Sequence, residues 1–561
     1  MGKTSEKTST WLALRNPVFR RLWLAMVISG SCIAAHNTAV YWTLNSLGAS
    51  TVLISLMATV SALPATLFTL PAGALADMLD RKKILLAVQL WHASIAIALT
   101  ILWMAHLLNP YLILASAFLF SAGFAFSSPA HSSVIAEMVS AEELGSAYTL
   151  AGLQMDVSGI IGPLLSGLLI PLAGVSFIFG ANALGFLLMF LAILQWKRVQ
   201  TPSNLPLENF FESLTTAIRY VRYTSGIKIL LARHALFSFF IAIIPALMPV
   251  VGLKELHLKA SHLGYLFTSM AVGSVISGAF IIPWARAKYS PQRITTFANL
   301  VLVIDCCLMA LVHRPYVFLV VALLAGMGWT LSASELWVAS QRAMPDWSRG
   351  RMNATVVMVG QAATALGGAI WGLAAHDAGV VPTFLMAAGF AFVIMIIVRV
   401  VPAFRLSIDF TKSLTFEPAP VTIFSQGLDP TRPPAPQDGP VSITAQFQID
   451  PTRRNECVEL MREARLIFLR NGAYRWHLYE DLNQPNKFRM EVVVPSWKEH
   501  VLQRERLTKN EKEVIDKLRS LRIDPNPPEE WISLSVDREV LKKSVRSSSL
   551  TPDRSVSKLL P

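Results

Sequence analysis

Twelve apolar stretches, each close to the ~20 residues that a helix needs to cross a bilayer core, alternate with short polar connections over the first four hundred residues. They run at 22–44, 51–75, 84–106, 111–135, 147–170, 173–196, 229–252, 262–284, 293–312, 316–340, 352–376 and 380–403. The pattern predicts twelve spanning helices: a bundle over 1–196, a connecting loop over 197–228 and a second bundle over 229–403. In that loop Leu207, Phe210, Phe211, Leu214, Ile218 and Val221 recur at helical spacing beside Arg219 and Arg222. This reads as an amphipathic helix on the membrane surface, or as a plain linker helix. After Phe404 the pattern breaks. Pro418, Pro420, Pro430, Pro433, Pro434, Pro436 and Pro440 mark a stiff linker over 404–440. A soluble stretch follows over 441–540, with strands expected at Val441–Ile449, Tyr474–Asp481, Lys487–Val494 and Trp531–Val536, and helices at Thr452–Arg470 and Ser496–Leu521. That β-α-β-β-α-β order predicts a small split βαβ, ferredoxin-like α+β domain. The Ser/Lys/Arg-rich end, 541–561, is expected to be disordered.

One connection stands out, Gly73-Ala-Leu-Ala-Asp77-Met-Leu-Asp80-Arg81-Lys82-Lys83. Gly73 permits close approach of two elements, and Asp77 can meet the positive end of a helix dipole. Moved by 205 residues, the stretch meets Gly278 to Lys288, where Arg81 pairs with Arg286, Lys83 with Lys288, and Asp77 with Ile282. The same offset pairs Pro110-Tyr111 with Pro315-Tyr316, Gly123 with Gly328, Gly145 with Gly350, Gly162 with Gly367, Gly167 with Gly372 and Ala173-Gly174-Val175 with Ala378-Gly379-Val380. The membrane part reads as two copies of one six-helix unit.

Composition agrees with a membrane protein: of 561 residues 53% are hydrophobic and only 15% charged, with mean hydropathy +0.48. The net charge of +13 is uneven, with 24 Lys+Arg against 14 Asp+Glu before residue 404 and 25 against 22 after it. The excess sits on membrane-flanking loops, which argues for topology rather than nucleic-acid binding. Met1–Arg21 is basic and lacks a small-residue cleavage site, so it reads as a cytoplasmic start rather than a signal peptide. With that start, the loops predicted inside carry Arg81, Lys82, Lys83, Lys197, Arg198, Arg219, Arg222, Arg286, Lys288, Arg342, Arg349 and Arg351, while those outside carry only Lys254, Lys259 and Arg314. Both termini are expected in the cytoplasm. Cys32, Cys306, Cys307 and Cys457 offer no disulfide framework.

Gly73 to Lys83 resembles the loop signature of the major facilitator superfamily of secondary transporters. The tail sharpens the resemblance. Asn471-Gly-Ala-Tyr-Arg-Trp476-His477-Leu-Tyr-Glu480-Asp481, Ser496-Trp497-Lys-Glu-His500 and Arg504-Glu-Arg506-Leu-Thr508 are similar to the C-terminal domain of its transmembrane secretion effector branch. That branch includes enterobactin-exporter-like proteins. Pro345-Asp346-Trp347-Ser-Arg349-Gly350-Arg351, Gly360-Gln361, and Pro129 to Glu137 with Glu142-Glu143-Leu144 agree. The resemblance implies an all-α, two-bundle membrane fold, alternating access in a bacterial inner membrane, and a mid-membrane cavity faced by spans 1, 4, 7 and 10. The substrate implied is a small amphipathic molecule such as a siderophore, drug or secondary metabolite, exported with proton coupling. An importer of the same fold is the near alternative.

Ionisable residues inside spans are costly and mark candidate sites. Asp156 lies about nine residues, or ~14 Å at 1.5 Å per residue, from the inner end of span 5, and the repeat pairs it with Gln361 in span 11. It is the first candidate for a proton or cation site; the alternative is a carboxylate satisfied by Ser158 and backbone. His36-Asn37, with Tyr41 and Trp42 beyond, is the second, because a histidine titrates near neutrality. Glu335, Asp305 and His92 are read as structural. Gly162, Pro163 and Gly167 form a helix-packing motif resembling that of export-type members. Phe118-Leu119-Phe120 stand before Gly123 where proton-coupled antiporters of the superfamily usually carry an arginine. For an inner gate, Asp77 is expected at the start of span 11 near Arg349–Asn353, with Arg286 or Lys288 facing Glu142 and Glu143.

The tail also resembles small antibiotic-biosynthesis monooxygenases, and Trp476, His477 and His500 would be the residues of a haem or quinol site. No metal-ligand spacing, nucleophile dyad or Walker-type phosphate loop occurs in the sequence, so neither a cofactor nor enzymatic activity is expected. Dimerisation or substrate sensing is the expected role of the tail.

Overall fold

The computed structural model describes residues 11–140, 142–196, 210–224, 226–344, 349–400, 434–523 and 529–535. The linker up to residue 433, the loop 345–348, the end beyond 535 and the side chain of Asp77 lie outside the described residues. The chain divides into two units. One comprises Met1–Leu214, Ile229–Gln341 and Arg349–Ser407; the other comprises Thr215–Lys228, Arg342–Ser348 and Ile408–Pro561.

In the first unit the helices are α1 (Pro17–Ser46), α2 (Thr51–Met78), α3 (Arg81–Met104), α4 (Pro110–Met138) and α5 (Leu144–Gln195). After the intervening α6 (Phe210–Tyr223) come α7 (Ile227–Ile241), α8 (Ile243–Val250), α9 (Ala260–Ile276), α10 (Ile282–Lys288), α11 (Pro291–Leu311), α12 (Pro315–Arg342), α13 (Arg349–Asp377) and α14 (Val380–Val400). Short polar residues start the helices of the first half: Asn16, Ser50, Asp80 and Asn109 each accept a backbone N–H of the first turn. Among the described residues eleven helices are long and apolar enough to cross a membrane, with α7–α8 and α9–α10 each counted as one. The 52-residue α5 would be ~78 Å long if straight, far beyond one crossing. It breaks at Gly174, whose φ of 79° is open to glycine. Gly162 before the break and Gly185 after it both lie against the turn of α1 around Ser31 and Cys32. The two arms therefore fold back on either side of α1.

The helix starts refine the repeat. Pro110 and Pro315, and Leu144 and Arg349, lie 205 residues apart, but α1 and α7, and α3 and α11, start 210 apart. At that offset Asp80, which caps α3, corresponds to Ser290, which precedes α11. The match of Arg81 to Arg286 is thus out of structural register: Arg81 opens a helix, whereas Arg286 lies near the end of α10.

In the second unit four antiparallel strands, β1 (Val441–Gln448), β2 (Arg475–Glu480), β3 (Lys487–Val494) and β4 (Glu529–Leu534), form a sheet in the order β2-β3-β1-β4. Period-two alternation puts Ala445, Phe447, Met490 and Val492 on one face, where Met461, Ala464 and Phe468 of α15 (Arg454–Arg470) and Ile515 and Leu518 of α17 (Lys509–Ser520) cover them. The helix expected over 496–521 is two, α16 (Trp497–Glu505) and α17. Thr508 and Glu511 form a reciprocal capping box that starts the second.

The last turns of α6 group with this unit. Arg219 donates to Gly472 O (2.9 Å) and to Glu499 Oε1 (3.1 Å), and Arg506 donates to the same carboxylate oxygen (2.7 Å). Tyr220 is buried, its hydroxyl 3.4 Å from Ala343 O, and Tyr223 packs on the sheet's core. Among the described side chains of α6, Tyr220 is buried and Ile218 is 58% exposed.

Candidate functional site

Near the middle of the membrane unit, helices of both halves enclose a cavity of about 490 Å³. Its polar groups come from α1 (Asn37, Thr38, Tyr41), α2 (Ser61), α9 (Ser274) and α13 (Gln361, Thr364). The rest of the wall is apolar, including Met57, Phe267 and Met270. Tyr41 and Phe267 stack with centroids 5.6 Å apart, a flat apolar wall formed across the two halves. Among the described residues no Asp, Glu, Lys or Arg lines the cavity itself.

One end of this cavity is sealed by uncharged contacts. Tyr41 donates its hydroxyl to Pro245 O (3.2 Å), and Thr59 donates to Ala365 O (2.8 Å). Where α5 crosses α9, a methyl on Gly264 would stand 2.5 Å from Pro163 O and 2.8 Å from Gly167 Cα, so only glycine allows the helices to meet there. Gly372 abuts the side chain of Ser55. All of these contacts lie toward the end opposite the Gly73–Lys83 loop. Toward that loop α5 presents an exposed face, with Tyr148 50% and Met155 73% exposed.

Asp156 is on that face. It is exposed, one turn below Gly159 and two below Pro163, both of which line the cavity. Ser158 is not its partner, because Ser158 turns the other way, donating to Val27 O (3.2 Å) and accepting from Gln154 (3.1 Å). Gln361 reaches the cavity from α13, and Asn37 from α1. His36 does not: it is 4% exposed, with its ring 4.9 Å from that of Phe120 and 5.0 Å from that of Phe179. Neighbours on a helix are rotated by about 100°, so one residue of the pair meets the cavity and the other the bundle interior. His92 is likewise internal, its Nε2 2.9 Å from Phe120 O. Asp305 is fully buried in α11.

At the charged end the described ion pairs lie within each half. Arg286 pairs with Glu335 of its own half (2.7 Å) and donates to Ser334 (3.0 Å), while Lys288 lies 5.1 Å over the Trp284 ring. Glu143 folds back to accept from Ser140 N (3.0 Å), which closes the turn before α5. Among the described residues Arg286 and Lys288 meet Glu335 and Trp284 rather than Glu142 and Glu143. In the first half Arg81 pairs with Glu137 at 2.9 Å. Asp77 lies outside the described side chains, so its expected placement near Arg349 and Arg351 remains a proposal.

In the soluble unit the three residues of the imagined haem or quinol site do not converge. Trp476 and His477 are adjacent in β2 and point to opposite faces, and His500 is buried against Trp497.

A two-half helical unit around a sealed-at-one-end central cavity is the architecture of major facilitator transporters. A crystal structure of a POT family transporter superposes with TM-score 0.57 at 13% identity, covering 69% of this chain and 96% of that one. The chain belongs to the transmembrane secretion effector family, whose model matches residues 8–540. It is 26% identical over 380 residues to the enterobactin exporter EntS of Shigella boydii serotype 4 (66% of this chain, 88% of the relative). It is 24% identical over 265 residues to macrolide efflux protein A of Streptococcus pyogenes, spanning 47% of this chain and 65% of that relative. The family and these relatives are transporters, not enzymes.

Proposed function

We propose that the protein is a secondary active transporter that exports a small amphipathic molecule from the bacterial cytoplasm by alternating access, coupled to proton entry. The observation that carries this is the 490 Å³ cavity, shared by both halves and lined by uncharged polar and aromatic groups. Its volume falls within the ~300–1,000 Å³ of small-molecule sites. Its lining suits a molecule with apolar bulk and a few hydrogen-bonding groups. With α5 counted as two passes, the described residues of the membrane unit hold twelve spans in two sixes, and the excess of Lys and Arg in the loops at one end supports a cytoplasmic position for that end. The cavity then opens inward, ready to load. The printed names of the relatives, an exporter and an efflux protein, support the direction.

Asp156 is the proton site in this reading. In the open state it stands in the vestibule, one turn below the cavity, where it can exchange protons with water. Closure of that end would desolvate it and favour the neutral form. The strand order of the soluble unit is that of a ferredoxin-like domain, and we assign it a regulatory or dimerising role.

The test is efflux from proteoliposomes loaded with a fluorescent lipophilic cation, with and without an imposed pH gradient. Gradient-driven efflux should be seen for the wild type and fall to the no-gradient rate for Asp156→Asn. Efflux that ignores the gradient in the wild type would remove proton coupling, and efflux unchanged in the variant would remove Asp156.

A further inference from the structure

A second cleft lies between α7, α11 and α14, at the end of the membrane unit that carries the basic loops, and transport through the central cavity does not use it. Arg233 enters it from α7, six residues after Ile227 and so about 9 Å along the helix, and is half-buried. Arg399 enters from the last turn of α14. Among the described residues neither guanidinium has an ion-pair or hydrogen-bond partner, and no carboxylate lines the cleft. Gln292 and Asn299 of α11 add amide groups. The carbonyl oxygen of Asn299 already accepts from Ser332 Oγ (2.8 Å), which leaves its NH₂ end for a ligand. Deeper in the cleft the wall becomes apolar, with Phe237, Phe240, Ile394 and Met395. The outward surface of α14 beside it is apolar and open, Val393 being 54% and Ile396 44% exposed.

Two unneutralised cations at interfacial depth require a counter-charge. The charged groups offered to it are both cationic donors, and the wall behind them is hydrocarbon. We infer that the cleft binds an anionic glycerophospholipid of the adjoining leaflet. Its phosphate is held by Arg233 and Arg399 with the amides of Gln292 and Asn299, and an acyl chain lies along Phe237 and Ile394. A free phosphate would use the arginines but leave the apolar wall uncovered. The site lies wholly within the second half, so it stands or falls independently of what the central cavity carries.

The experiment is native mass spectrometry of the full chain in detergent, offered equal amounts of phosphatidylglycerol and phosphatidylcholine with the same acyl chains. The wild type should retain phosphatidylglycerol in preference by about tenfold or more, as two basic contacts near a bilayer surface would give. Arg233→Gln with Arg399→Gln should bring the ratio close to one. Gln292→Glu should lower it as well, and it sits in the first turn of α11, where a carboxylate is favourable for the helix; it decides the matter if the double variant fails to fold. sn-Glycerol 3-phosphate at millimolar concentration should not displace the lipid. An unchanged preference in the folded variants, equal retention of the two lipids by the wild type, or displacement by glycerol phosphate would each overturn the assignment.

Discussion

Glu335 shows how one side chain fixes the meaning of its neighbours. Its side chain is 3% exposed, and its carboxylate is met by Arg286, itself 40% exposed. Breaking a buried pair from one side leaves a charge without a partner, at a cost of about 3–5 kcal/mol. Arg286→Ala should therefore lower the thermal unfolding temperature in detergent more than Arg286→Ala combined with Glu335→Gln, since the second change removes the stranded charge. If the double variant melts no higher than the single one, the pair contributes little. Cys457 supplies a second check, in the soluble unit. Burial pushes its thiol up to about 11, so at pH 8 it is protonated and shielded. A maleimide should label it only after the unit unfolds in denaturant, whereas labelling of the native protein at the rate of a free thiol would contradict its burial.

At the scale of elements, the spans were legible because a bilayer imposes a length and a composition, and both can be counted. The end caps were legible too: Asn16, Ser50, Asp80 and Asn109 stand where short polar side chains close a helix. Direction was not. A helix apolar on every side carries no periodic mark of its buried face, so nothing in His36-Asn37 told which residue meets the cavity. Packing against Phe120 and Phe179 decided it. The repeat misled in a related way, because an ungapped match of Arg81 to Arg286 ignores the helix starts that lie 210 residues apart. Arg233 is a charge inside a spanning window, a mark the sequence does carry. The crossing of α5 and α9 depends on side-chain size, because a methyl on Gly264 would meet the backbone of α5. Gly264→Ala should therefore disfavour the sealed state. Cysteines introduced on the sealed side of the cavity should then react faster with a membrane-impermeant thiol reagent; unchanged reactivity would show that the crossing adapts.

For the whole molecule, the sequence announced a membrane unit and a soluble one but not how the chain divides between them. Thr215–Lys228 and Arg342–Ser348, read as loops of the membrane part, group with the soluble domain. The reason is specific: Arg219 shares the Glu499 carboxylate with Arg506 and caps Gly472 O, a long-range contact with no periodic signature. Glu499→Ala should leave two guanidiniums facing one another and loosen α6 from the domain. Hydrogen exchange should rise in 215–224 with little change in β1 or β3, and equal protection in both proteins would refute the coupling.

Among the described residues the sealed end is held by hydroxyls, carbonyls and glycine contacts, while the opposite end is crowded with Arg81, Glu137, Arg286 and Glu335. Exposed charges are screened over a Debye length of about 8 Å at physiological ionic strength; a seam without charge has nothing to screen. The two halves of a transport cycle would accordingly obey different controls. Added salt would change how fast the charged end closes and releases, and would leave the other end to be timed by shape.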